Sequence, residues 1–94
     1  MIQPTVGRIV WYHPTLSDPG GTVPGSVQAA IITCVWSDTC INLCVFDPDG
    51  IPYGRTSVYL LQDRNEDPGA PGYAEWMPYQ KGQAANELAA KLGL

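Results

Sequence analysis

A small, mainly β domain is what this sequence predicts, a barrel of about five short strands followed by one C-terminal helix. Three observations predict it. The stretch from Ala29 to Phe46, AAIITCVWSDTCINLCVF, is dense in β-branched and aromatic residues and broken once by Ser37-Asp38-Thr39, the pattern of two strands joined by a turn. The remaining apolar runs are short and separated by Gly- and Pro-rich segments that cannot form regular structure. Only the last residues are rich in Ala, Leu, Glu and Lys, the strong helix formers.

In chain order, Thr5 to Tyr12, TVGRIVWY, reads as the first strand, with Gly7 marking a bulge and His13-Pro14 ending it. Pro14 to Gly25 is packed with turn formers and reads as a long surface loop. In the central hairpin, a loop of Asp38, Thr39 and Cys40 would set Ser37 opposite Ile41, Val35 opposite Leu43 and Cys34 opposite Cys44, giving each apolar residue an apolar partner, whereas a two-residue loop would shift this pairing by one. Both faces of each arm are largely apolar, so the hairpin is expected to be covered on both sides or closed into a small barrel. On that reading Trp11, Trp36 and Phe46 are core residues.

Asp47-Pro48-Asp49-Gly50 is a turn, with Pro48 presetting its backbone angle and Gly50 free to adopt the left-handed conformation. Ile51 to Gly54 reads as an irregular link and Arg55 to Gln62, RTSVYLLQ, as a fourth strand. Asp63 to Gly72 is a second polar loop. Its Asp63, Asn65 and Asp67, with Glu75 beyond, imitate a calcium loop whose glycine and glutamate are displaced, so it reads as solvated. Tyr73 to Met77 reads as a short last strand stopped by Pro78. Gln83 to Leu92 is the expected helix, with Glu87 and Lys91 paired at i, i+4 and a narrow stripe of Ala84, Leu88 and Leu92. The chain thus divides into a barrel over residues 1–80 and, over 81–94, a helix that packs on the barrel or on a neighbouring subunit. An SH3-like barrel is the commonest closure for this many short strands.

At 94 residues the chain holds a single core and little else, which favours binding over catalysis. A net charge of −4, with Arg8, Arg55, Arg64, Lys81 and Lys91 as its cations, lacks the basic surface that duplex nucleic acid needs. No apolar run approaches the ~20 residues of a membrane span, and no leader pattern is present, so a cytoplasmic protein is expected. Cys34, Cys40 and Cys44 read as buried reduced thiols, with a cross-strand Cys34–Cys44 disulfide as the alternative. One histidine, no paired CxxC and no nucleophile or phosphate-loop motif leave no metal, cofactor or enzymatic activity expected.

TVGRIVWY, AAIITCVWSDTCINLCVF, SVYL and EWMPYQ resemble a group of small proteins encoded by tailed bacteriophages and prophages, over most of the chain up to Gln80. The resemblance implies a phage protein made in the cytoplasm of an infected bacterium. It brings no functional residue with it. Short phage genes of this kind often encode inhibitors of host immunity, and one class sequesters nucleotide second messengers between small subunits.

A homo-oligomer that binds a nucleotide-like signal, a cyclic dinucleotide or ADP-ribose derivative, is therefore expected. Such a sponge needs aromatic faces, a cation and polar edges. Tyr12, His13, Tyr53, Arg55, Thr56, Ser57, Trp76, Tyr79 and Gln80 offer them. Tyr53, Trp76 and Tyr79 adjoin Gly or Pro and are expected to be partly exposed. Arg55 either holds a phosphate or pairs with Asp47 or Asp49, and His13 reads more simply as a capped loop residue than as a catalyst. The alternatives are a virion structural or adaptor protein, or an inhibitor that binds a host protein directly.

Overall fold

The computed structural model describes residues 1–23, 25–63 and 65–78. Its strands are β1 (Ile9–His13), β2 (Gln28–Ser37), β3 (Cys40–Phe46), β4 (Pro52–Leu61) and β5 (Tyr73–Glu75), joined in that order into a closed barrel. The neighbours β1 to β4 pair antiparallel, and β5 closes the ring antiparallel to β1 and parallel to β4. The expected barrel of five strands is therefore present. The C-terminal helix lies outside the described residues.

Element limits differ from expectation where backbone geometry overrides composition. β1 starts at Ile9 rather than Thr5 because Thr5 to Arg8 form a turn with Gly7 at φ +95°, so Gly7 marks that turn and not a bulge. β4 starts at Pro52, through the segment expected to be irregular: Pro52, Tyr53 and Gly54 sit opposite Phe46, Val45 and Cys44. A proline is tolerated there as the first residue of the strand.

The central hairpin keeps its strands and changes its register. The loop is the two residues Asp38 and Thr39, with Ser37 opposite Cys40 and Val35 opposite Ile41. Register shifts between Ile32 and Cys34 and between Val35 and Ser37 each add a residue to β2. They re-aim Ile32 onto Leu43, keeping both inside the barrel. Cys34 consequently faces Asn42 and Cys44 faces Ile31, and all three cysteines are half-buried free thiols.

β3 alternates between buried and half-buried positions along its length, so one face lines the closed barrel, the second of the two arrangements expected, and the other is only half-buried. Inside lie Val10, Ala30, Ile32, Ile41, Leu43, Val45, Val58, Leu60, Ala74 and Trp76. Trp36 is 64% exposed, and Trp11 and Phe46 are only half-buried, so none of the three is the core residue expected. The core tryptophan is Trp76, fully buried, with its Nε1–H donated to Gln62 Oε1 at 3.1 Å and the Arg8 guanidinium 4.8 Å from its ring centroid.

Polar side chains seal both ends of the barrel. At one end Gln62 donates to the carbonyls of Ile2 (2.9 Å) and Asp38 (2.8 Å) while accepting from Trp76, tying the N-terminal segment and the β2–β3 turn to β4. At the other end Asp18, from the long loop, reaches in to Tyr12 and Arg55. The β3–β4 turn is self-contained: Asp47 Oδ1 accepts the backbone N–H groups of Asp49 and Ile51, and Gly50 takes φ +82°.

Ser57 is the one non-glycine residue with positive φ among those described, at +53°. It lies at the irregularity between the Ile41–Val58 and Leu43–Arg55 pairs, and Asn42 Oδ1 accepts both its backbone N–H (2.8 Å) and the indole N–H of Trp36 (3.0 Å). The left-handed conformation costs an L-residue about 1–2 kcal/mol. Ser57→Gly removes that cost and adds a smaller loss of backbone entropy, so a gain of roughly 0.5–1 kcal/mol is expected. A higher urea midpoint with unchanged slope is the readout, and a lower midpoint would show that the bulge carries no strain.

Candidate functional site

The long loop between β1 and β2 is a chain of tight turns, closed by backbone bonds from Asp18 to Thr15 (3.1 Å), Gly21 to Asp18 (2.9 Å) and Ser26 to Val23 (3.2 Å). Gly21 is required: a Cβ there would lie 1.8 Å from the Thr15 carbonyl oxygen. Folded this way, the loop stands off β1 and leaves a cleft of about 480 Å³ against the start of β5, lined by His13, Leu16, Val23, Pro71 and Tyr73 among others.

The floor of the cleft follows from the β1–β5 register. His13 is opposite Tyr73 and Trp11 opposite Glu75, so these four side chains share the outer face while Tyr12 and Ala74 point inward. The His13 and Tyr73 rings stack with centroids 4.4 Å apart and planes 15° apart. Glu75, largely buried, holds the imidazole through Nε2 and Oε1 at 3.1 Å. Burial pushes the Tyr73 hydroxyl up from its ordinary pKa, and the nearby Glu75 and Asp67 carboxylates push it further. The walls are apolar and open, with Leu16 79% and Val23 51% exposed.

Behind the loop, Asp18 is the hub of a buried network. Its Oδ2 accepts from the Tyr12 hydroxyl (2.8 Å) and the Thr15 backbone N–H (2.9 Å); its Oδ1 accepts from Arg55 Nε (2.7 Å) and from a terminal Arg55 nitrogen. Burial alone would raise the Asp18 carboxyl, but the Thr15, Arg55 and Tyr12 donors together hold it below its ordinary value. The Arg55 guanidinium lies 4.7 Å from the Tyr53 ring centroid. The Tyr53 hydroxyl donates to Gln28, whose amide donates to the Pro19 carbonyl at 2.7 Å.

The residues singled out in the sequence do not form one site. Tyr12, Tyr53 and Arg55 meet around Asp18, and the arginine's partner is Asp18 rather than Asp47 or Asp49. His13 lies in the cleft. Thr56 and Ser57 are exposed at the β4 bulge, and Trp76, expected to be partly exposed, is sealed in the core. Tyr79 and Gln80 lie outside the described residues.

Asp18, Gln28, Tyr73 and Glu75 escaped the sequence reading. The last two carried a signal, since alternate residues of the last strand share a face. Glu75 lies in the last strand, as expected, and its carboxylate is held by His13. Comparison with protein-family models, curated proteins and solved structures finds no match to this chain.

Proposed function

We propose that this chain is a non-catalytic binding module, SH3-like in its strand order, that captures an extended segment of a partner protein in the cleft beside His13 and Tyr73. The observation that carries the proposal is the cleft itself. It is open to solvent, walled by exposed Leu16 and Val23, and floored by a stacked aromatic pair. His13 is bonded to Glu75 and stacked on Tyr73, so its ring is held in place as part of the cleft floor.

A nucleotide-like ligand is the second reading. The stacked ring pair favours it, since a base can extend such a stack. The cation expected to hold its phosphate weighs against it, because Arg55 is committed to Asp18. Set in the phage context of the sequence resemblance, the partner is a host factor whose defence role is blocked or another virion component. A homo-oligomer formed through the helix expected from the sequence and through the barrel edges, in the host cytoplasm, belongs to the same proposal.

Selection of nonapeptides on the full chain, followed by competition with Leu16→Asp and Val23→Asp, tests the reading. Both side chains are exposed, so the variants are expected to fold while losing roughly ten-fold in peptide affinity. Cyclic dinucleotides and ADP-ribose are expected to give no heat and no thermal shift. Saturable heat from one of them, with selected peptides indifferent to the cleft variants, would overturn the proposal in favour of the nucleotide.

A further inference from the structure

We infer that the barrel carries a second binding site, around Asn42 on its outer wall, where a neutral sugar ring stacks on the exposed face of Trp36. The site shares no residue with the cleft beside His13 and does not depend on it. The register irregularities of the β2–β3 and β3–β4 pairs all fall beside this asparagine. Against β3, β2 slips between Ile32 and Cys34 and again between Val35 and Ser37, while Thr56 and Ser57 of β4 together lie opposite Asn42. The residues left over, Thr33, Trp36, Thr56 and Ser57, are all exposed. Bulges re-aim side chains, and these place an indole and three hydroxyls along the strands that flank one amide.

Asn42 Oδ1 accepts both the Trp36 indole N–H at 3.0 Å and the Ser57 backbone N–H at 2.8 Å. Two donors on one oxygen set the orientation of the amide and leave its Nδ2 as a donor, with no acceptor among the described residues. The indole N–H is committed to Asn42, so what Trp36 offers at 64% exposure is a ring face held in one orientation. Ser57 is a separate observation. It holds φ +53°, which glycine adopts without strain, and its hydroxyl has no hydrogen bond among the described residues. Strain retained for a side chain that bonds to nothing in the fold points to a ligand.

Charge selects the class of ligand. β2 and β3 contain no charged residue, β4 contains only Arg55, which is bonded to Asp18, and Asp38 in the β2–β3 turn is the one charge between Gln28 and Phe46. The polar groups around the indole are therefore neutral amide and hydroxyl groups, matched to a ligand without charge. A pyranose fits both halves of the site: its C–H face is apolar and lies on an indole, and its rim of hydroxyls pairs with amide and hydroxyl groups.

Cellotetraose, maltotetraose, chitotetraose and mannotetraose, each raised to about 10 mM, are titrated into the ¹⁵N-labelled full chain while the Trp36 indole N–H and the Asn42 side-chain amide are followed. At least one is expected to shift both signals saturably and leave the Tyr73 amide unmoved. Trp36→Ala removes an exposed ring, so it should fold and lose roughly ten-fold or more in affinity, read at Asn42; Trp36→Tyr, which keeps a flat face, should lose less. Ser57→Gly keeps the N–H donated to Asn42 and should bind about two- to three-fold more weakly while raising stability, an opposition that a purely structural serine does not produce. No saturable shift with any of the four sugars would overturn the inference. Saturation by adenosine monophosphate or N-acetylarginine amide in their place would overturn the choice of a neutral ligand.

Discussion

Trp76→Ala is expected to lower unfolding stability by about 3–5 kcal/mol, the range for deleting a fully buried large aromatic side chain. Trp76 is 0% exposed and packs within the cluster of Val10, Ile32, Leu60 and Ala74. The deletion leaves a cavity where strands from both sides of the barrel converge. It also withdraws the indole N–H from Gln62 and the ring face from Arg8. A domain of this size has about 5–15 kcal/mol of stability in total, so the variant should lose its cooperative urea transition or shift it to a much lower midpoint.

Trp76→Phe distinguishes volume from hydrogen bonding. It keeps an aromatic ring in the core and loses the donor, so a cost of roughly 1–2 kcal/mol is expected. Gln62 Oε1 still accepts the Ile2 N–H at 3.2 Å and is not orphaned. A loss under about 1 kcal/mol for Trp76→Ala would contradict the placement of this side chain at the centre of the core.

The tryptophans also show what was legible beforehand and what was not. Strand positions followed from β-branched density, because inward residues such as Ile32, Leu43 and Val45 must be apolar wherever the sheet closes. Burial did not follow in the same way. Trp36 sits in the most apolar stretch of the chain and is exposed, because two irregularities in β2 turn the end of that strand outward and Asn42 holds its indole there. Trp76 sits beside polar and proline residues and is buried, because β5 pairs on both edges and closes the barrel. A bulge shifts the inside–outside alternation by one residue, and nothing in local composition marks where it occurs.

The candidate site was legible only in fragments for a related reason. His13 stood out as the only histidine, and Arg55 as a cation beside a glycine. Their partners are set by pairings distant in sequence. Glu75 reaches His13 across 62 positions and Asp18 reaches Arg55 across 37. Nearby acids such as Asp47 were the natural guess for Arg55, yet the Asp47 carboxylate is already used by the backbone of its own turn. The long loop was expected as surface, and its turn-by-turn structure makes it a wall of the cleft.

The anchoring of that wall leads to the second large effect. Asp18→Ala is expected to cost roughly 2–3 kcal/mol, because Tyr12, Thr15 and Arg55 all donate to one buried carboxylate. The figure is kept below the full cost of breaking a buried ion pair because the Arg55 side chain is 36% exposed and can turn to water. The same contact has a pH signature. The folded state holds the Asp18 carboxyl below its ordinary value, so the unfolded chain takes up the proton first as pH falls. Stability from this group is fully present above the unfolded value, near 4 for an aspartate, and is lost as pH drops through the lower folded value. The melting temperature of the native chain relative to Asp18→Asn should therefore be flat above about pH 5 and converge below about pH 4. Hydrogen exchange reads the structural side of the effect: the Thr15 amide, donated to the Asp18 carboxylate, should exchange faster in Asp18→Ala, together with that of Gly21. Peptide capture should fall in the same variant, since Leu16 and Val23 keep their places only while the loop is pinned. Unchanged exchange at Thr15 together with unchanged acid stability would show that Asp18 does not hold the loop, and the cleft would need another support.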